Sequence, residues 1–163
     1  LYDHTIDHLA NHGLPQYEVS NFARPGYESQ HNSKYWDGSR YLGLGASAHS
    51  FDGTQRWWNV ANYVHYGRHV ERDQRPIADR EILSRETRMF ESVFLDLRTT
   101  RGVNLAEFER SFGCSFRETY AGPIKKLLQS TSPVIIIDDE HARLTREGLF
   151  LCDSVCGEFQ KIG

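Results

Sequence analysis

The sequence predicts an α/β segment followed by a mainly helical, winged-helix-like module. Three observations predict it. A helical pattern runs almost directly into an alternating, strand-like stretch at the start of the chain. A charged stretch with Pro76 and no apolar periodicity, "ERDQRPIADR", interrupts the middle. Beyond it come three helical patterns, two short strand patterns and a last helix, the order of a winged-helix-like unit. The expected organisation is therefore residues 1–70, a linker at 71–78, and a second module at 79–163.

The elements follow in order. In "LYDHTIDHLANHG", Ile6 and Leu9 keep helical spacing, Gly13 stops the helix and Pro15 bars its continuation. "YEVSNF" alternates as a strand does. A second strand is expected in the small-residue stretch "RYLGLGASAHSF", then a hairpin in "FDGTQRWWNV" with Asp52-Gly53 at its turn. "VANYVHYGRHV" reads as a short helix. In the second module, Ile82, Leu83, Met89, Phe90, Val93, Phe94 and Leu97 share one helical face, with Asp79 as the expected N-cap. "NLAEFERSFG" starts with a capping-box-like Asn104 and Glu107 and stops at Gly113. "SFRETYAGPIKKLLQS" is expected to kink at Pro123. "VIIIDDEHARLT" supplies two strands around Asp138-Asp139-Glu140, and "TREGLFLCDSVCGEFQ" a closing helix.

Composition narrows the function classes. The chain has 163 residues, 39% hydrophobic and 25% charged, with a net charge of −3. No apolar run approaches the roughly 20 residues that span a bilayer, and no signal-peptide pattern opens the chain. Residues 79–163 hold 12 Lys/Arg against 14 Asp/Glu. A winged-helix pattern with that charge argues against nucleic-acid binding, where phosphate contacts dominate affinity. Three cysteines, Cys114, Cys152 and Cys156, make no disulfide framework and fit a reducing compartment, so a cytoplasmic location is expected. The chain opens without Met, in what reads as the middle of an α/β repeat, and is expected to be part of a longer protein.

Four groups of residues could carry chemistry. His4, His8 and His12 recur every four residues, a spacing at which imidazoles can share a metal, but flanking Asp3 and Asp7 favour a solvated face. Cys152 and Cys156 lie one helical turn apart in an apolar helix without a third cysteine, which favours buried packing over a cluster. Gly43 and Gly45 in "YLGLGAS" mark a close approach to the backbone, by a ligand or by packing, without the phosphate-loop pattern. The fourth group is His31, Asn32, Tyr35 and Trp36 in "HNSKYW". An imidazole can ligate haem iron and aromatic rings can pack on a porphyrin face. The same residues could equally anchor a loop to the core.

The ordered series "YEVSNFARPGYESQHNSKYWDGSRYLGLGASAHSF", "RWWNV", "FLDLRTTRGVNLAEFERSFG" and "ARLTREGLFLCDSV" resembles the HemW group of radical SAM proteins. These are relatives of the oxygen-independent coproporphyrinogen III oxidase of porphyrin biosynthesis. The resemblance covers nearly the whole chain. It implies a partial (β/α)₆ barrel with a [4Fe–4S] cluster and S-adenosyl-L-methionine, followed by an accessory domain. The chain would carry the last strands and helices of that barrel and the winged-helix-like C-terminal domain.

The cluster motif C-x-x-x-C-x-x-C is absent from this sequence, so no catalytic residue is expected here and the chain alone is expected to be inactive. The resemblance implies a haem chaperone passing haem to haem-accepting proteins, with coproporphyrinogen III dehydrogenase as the alternative and a non-catalytic docking module as a third reading. It places haem binding on His31, Asn32, Tyr35 and Trp36, with His31 towards the iron. Gly43, Gly45 and Ala46 would line the cofactor cavity, with His49 behind them as a supporting or core histidine. Many relatives carry Cys where this chain has Ser29, which removes a thiolate ligand. The missing barrel half, haem or porphyrin, and a second copy through exposed surfaces are the expected partners.

Overall fold

A computed structural model describes residues 1–36 and 38–160; the side chains of Tyr35 and Trp36 lie outside the described set. The fold is mixed α/β. Its strands form one two-stranded and two three-stranded antiparallel sheets, and the described residues close no barrel. The chain divides into two compact units, residues 1–37 with 89–163, and residues 38–88.

The first unit opens with α1 (Tyr2–Asn11), which ends before Gly13 at φ 76°. "YEVSNF" forms two very short strands instead of one: β1 (Gln16–Glu18) turns back at Val19-Ser20 into β2 (Asn21–Phe22). The buried Glu18 carboxylate explains the turn, since it accepts from the Ser20 backbone N–H at 2.9 Å and from the Asn21 amide. The segment continues into α2 (Gln30–Trp36).

The same unit contains most of α4 (Arg85–Leu97), β6 (Val103–Asn104), α5 (Leu105–Phe112), α6 (Phe116–Thr119), α7 (Ala121–Leu128), β7 (Ile135–Ile137), β8 (His141–Leu144), α8 (Arg146–Phe150) and α9 (Cys152–Phe159). Asn104 caps α5 as its sequence suggests, accepting from the Glu107 N–H at 2.8 Å, and Gly113 ends the helix at φ 64°. The expected kinked helix is two helices. The break falls at Tyr120, because Pro123 has no N–H to donate and its ring excludes a helical carbonyl four residues back, at Thr119. The closing helix likewise breaks at Leu151. The hairpin β7–β8 gains a third strand that the sequence pattern did not reveal, in the order β6-β8-β7. Phe116, Phe159, Leu97, Ile135 and Val93 are fully buried at the centre of the core that α4 to α9 share.

The second unit holds β3 (His49–Phe51), β4 (Gln55–Asn59), α3 (Tyr63–Glu71), β5 (Ile77–Ile82) and the first turn of α4, with sheet order β3-β4-β5. The hairpin turn sits at Asp52-Gly53 as expected, with Asp52 accepting from the backbone N–H groups of Thr54 and Gln55 at 2.9 and 2.7 Å. Two expectations fail here, the helix over residues 79–82 and its Asp79 N-cap. Residues 79–82 are strand, in β5. Ser84, not Asp79, starts α4 by accepting from the Thr87 N–H at 3.1 Å. The apolar spacing of Ile82 and Leu83 misled because Ile82 is 80% exposed and Leu83 buried, an alternation typical of a strand. The stretch 40–51 is strand only at its end, with Tyr41 bridging Phe51 across an irregular loop.

Candidate functional site

Ser29 organises the His-Asn segment. Its hydroxyl accepts from the Asn32 N–H at 3.3 Å and its carbonyl accepts from the Ser33 N–H and hydroxyl, both at 2.9 Å. The Ser29 N–H in turn donates to the Tyr17 hydroxyl at 3.4 Å, which ties the start of α2 to β1. His31 is exposed in the first turn of that helix, while Asn32 and Ser33 are half-buried. The expected roles of Tyr35 and Trp36 fall on side chains outside the described residues.

Gly43, Gly45, Ala46 and His49 belong to the second unit, whereas His31 and Asn32 belong to the first. What approaches the glycine backbone is the chain itself. A Cβ on Gly43 would stand 2.1 Å from the carbonyl oxygen of His49. The Gly43 N–H donates to the buried Ser50 hydroxyl at 3.0 Å, and the Gly45 N–H to the Tyr66 hydroxyl at 3.1 Å. Asn59, itself buried, donates its amide to the Gly45 carbonyl at 2.9 Å and to that of Gly43 at 3.4 Å. Ser50, Asn59 and Tyr66 therefore fix the loop. The one sequence signal for them was Asn59 closing the apolar "RWWN" run, where a buried amide must find partners. Ala46 is half-buried beside them. His49 is exposed and not a core residue; its ring stacks on Trp58 with centroids 5.6 Å apart.

The histidine face of α1 is solvated, as the flanking aspartates suggest. His4, His8 and His12 are exposed, and Arg146 engages the Asp3 and Asp7 carboxylates at 2.5 and 2.7 Å. Cys152 and Cys156 are buried with their sulfurs 3.8 Å apart. Sharing one hydrogen bond lowers the Cys152 thiol and raises that of Cys156, the latter with burial adding in the same direction. Among the described residues no group of three or more His, Cys, Asp or Glu side chains could hold a metal. A [4Fe–4S] cluster, which needs four thiolate-type ligand positions or three with an exogenous fourth, does not fit this donor set. Nor is any described helix long and apolar enough to cross a membrane.

Residues 83–151 match the family described as the HemN C-terminal domain. The chain is 35% identical to a protein named heme chaperone HemW from Lactococcus lactis over 159 residues, covering 98% of this chain and 41% of that protein. The chain belongs to the HemW/HemN-like radical SAM family. HemW from Bacillus subtilis is 34% identical over 160 residues, again with 98% and 41% coverage. The chain thus spans about two fifths of the length of these curated relatives and corresponds to their C-terminal portion. The structure reported as "Coproporphyrinogen III oxidase (HemN) from Escherichia coli is a Radical SAM enzyme" superposes with a TM-score of 0.72 at 20% identity, over 98% of this chain and 40% of that one. At that identity the likeness is one of fold. The HemW/HemN-like fold is therefore held here by two units whose polar contacts, around Ser29 in one and Asn59 in the other, shape the two candidate segments.

Proposed function

We propose that this chain supplies haem recognition to a cytoplasmic HemW-like haem chaperone that hands haem to acceptor proteins. The observation that carries the reading is the exposed imidazole of His31 in the first turn of a helix capped by Ser29. The names of the HemW relatives support haem as the cargo. Imidazole is a good axial ligand of haem iron, and the Ser29 cap holds the turn that carries His31. Asn32 would add a polar contact at the ring edge, and Tyr35 and Trp36 follow it in sequence as packing partners for the macrocycle.

In this reading residues 1–70 complete a partial (β/α)₆ barrel in the whole protein and residues 79–163 form its accessory domain, which the match over 83–151 supports. Any cluster and S-adenosyl-L-methionine chemistry belongs to the rest of that protein, since this donor set does not fit it. The coproporphyrinogen oxidase alternative draws its support from likeness of fold.

An absorbance titration of the 163-residue chain with haem tests the ligand role. A saturable Soret shift is expected, weakened about tenfold or more in His31→Ala, the loss of one good coordinate bond. Identical curves for the two proteins overturn His31 as the iron ligand.

A further inference from the structure

The second unit carries an open groove of about 510 Å³, lined by Asp52, Gln55, Trp57, Arg75, Arg80 and their strand neighbours Ile77 to Asp79. Its floor follows from the register of β4 against β5. Trp57 pairs directly with Arg80, so both side chains stand on one face of the sheet. The register then shifts after Trp58, and Asn59 pairs with Ile77. That irregularity brings Ile77 to the face of Trp57 and Arg80, although simple alternation along β5 would send it to the other side. The result is an apolar shelf of Trp57 and Ile77 with a guanidinium at its border, and Arg75 enters from the segment leading into β5.

Charge decides what the groove would accept. Among the described residues neither Arg75 nor Arg80 is in a salt bridge, while Arg56 on the opposite face is held by Glu81 at 2.8 Å. The lining also holds two acids, equal in number to the arginines, and both are engaged by backbone N–H groups. Asp52 accepts three hydrogen bonds within its turn, which hold its carboxyl below the usual carboxylate range. Asp79 accepts from the Arg80 N–H at 2.8 Å and alternates away from the Trp57 face. Two guanidinium groups thus border an aromatic shelf. Arginine pairs with carboxylates in a planar, bidentate manner and stacks on aromatic faces. The volume lies within the roughly 300–1,000 Å³ usual for small-molecule clefts.

We propose that this groove binds the carboxylate-bearing edge of a planar aromatic ligand, with Trp57 against the ring and Arg75 and Arg80 on the acids. The ligand's identity as a tetrapyrrole, with its propionates on the arginines, rests on the haem reading above. The groove itself uses no iron and no residue of α2.

Metal-free protoporphyrin IX and its dimethyl ester separate the two ideas, because neither has iron for His31. Binding to the 163-residue chain is read from porphyrin fluorescence and from quenching of tryptophan emission. The acid is expected to bind about tenfold more tightly than the ester, as charge-assisted pairs to two carboxylates imply. The exposed pair Arg75→Gln and Arg80→Gln, checked for an unchanged thermal melt, is expected to erase that preference. Equal binding of acid and ester, no binding of either, or a preference that survives in the variant each overturns the groove. A haem titration indifferent to His31→Ala, beside an intact acid preference, overturns the His31 ligand role and leaves the groove standing.

Discussion

The side-chain amide of Asn59 donates to the carbonyl oxygen of Gly45 at 2.9 Å, from a position only 7% exposed. This contact, with the longer one to Gly43, is how β4 holds an otherwise irregular loop. Asn59→Ala strips a donor from two carbonyls, at a cost of about 1–3 kcal/mol for buried groups left unpaired. Asn59→Asp should cost more, since it sets an acceptor against acceptors. Thermal melts read by tryptophan emission check both, and a wild-type midpoint in Asn59→Asp would remove the amide from its assigned role.

Gly43 and Gly67 should respond to alanine with opposite signs. At Gly43 the new methyl would meet the His49 carbonyl at 2.1 Å, and a carbonyl within a paired strand has little room to yield. At Gly67, inside α3, nothing stands within 4 Å, so alanine should stabilise the helix by about 0.5–1 kcal/mol. Circular dichroism melts of the two variants compare directly. A tolerated Gly43→Ala would mean that the loop does not press on β3.

Asp96, on α4, makes stability depend on pH in an unusual direction for a carboxylate. Burial pushes its pKa from 3.8 up to about 7, with Arg101 opposing and Glu107 reinforcing the shift. A raised folded-state value means that the folded protein binds the proton more tightly than the unfolded chain. The associated stability is complete below about pH 4 and is lost as pH rises through about 7, by at most about 1.4 kcal/mol per pH unit. Melting temperatures at pH 5 and pH 8 should therefore differ more in the wild type than in Asp96→Asn. An equal pH response in the two proteins would place Asp96 in water.

The ends of α5 were legible because local chemistry fixes them: Asn104 immediately precedes the helix and Gly113 immediately follows it, whereas the breaks at Tyr120 and Leu151 divide what reads as single helices. The turn at Asp52-Gly53 was legible for the same reason. The strands were less so. Residues 79–82 carry charges on both faces, which periodicity cannot assign, and only pairing with β4 makes them a strand. β6 is two residues long and exists because β8 is beside it. At the candidate site, the sequence showed that something presses on Gly43, but naming His49 as that neighbour requires the three-dimensional path of the loop. The shelf of Trp57 and Ile77 was hidden by the register shift after Trp58, which no alternating pattern displays.

The order of charges along β5, Asp79-Arg80-Glu81, bears on self-recognition. Among the described residues β5 is an edge strand, paired with β4 alone. Two copies joining edge to edge around a twofold axis normal to the sheet would keep every side chain on its own face. Each residue could then oppose only itself or a residue an even number of places away. A register centred on Asp79 sets aspartate on aspartate. One centred on Arg80 sets arginine on arginine and Asp79 on Glu81, and one centred on Glu81 sets glutamate on glutamate. Like charges directly opposed destabilise a strand pair. The side chains of β5 thus disfavour these three registers of edge-to-edge pairing, and a partner strand with a different rhythm of charges would meet no such opposition.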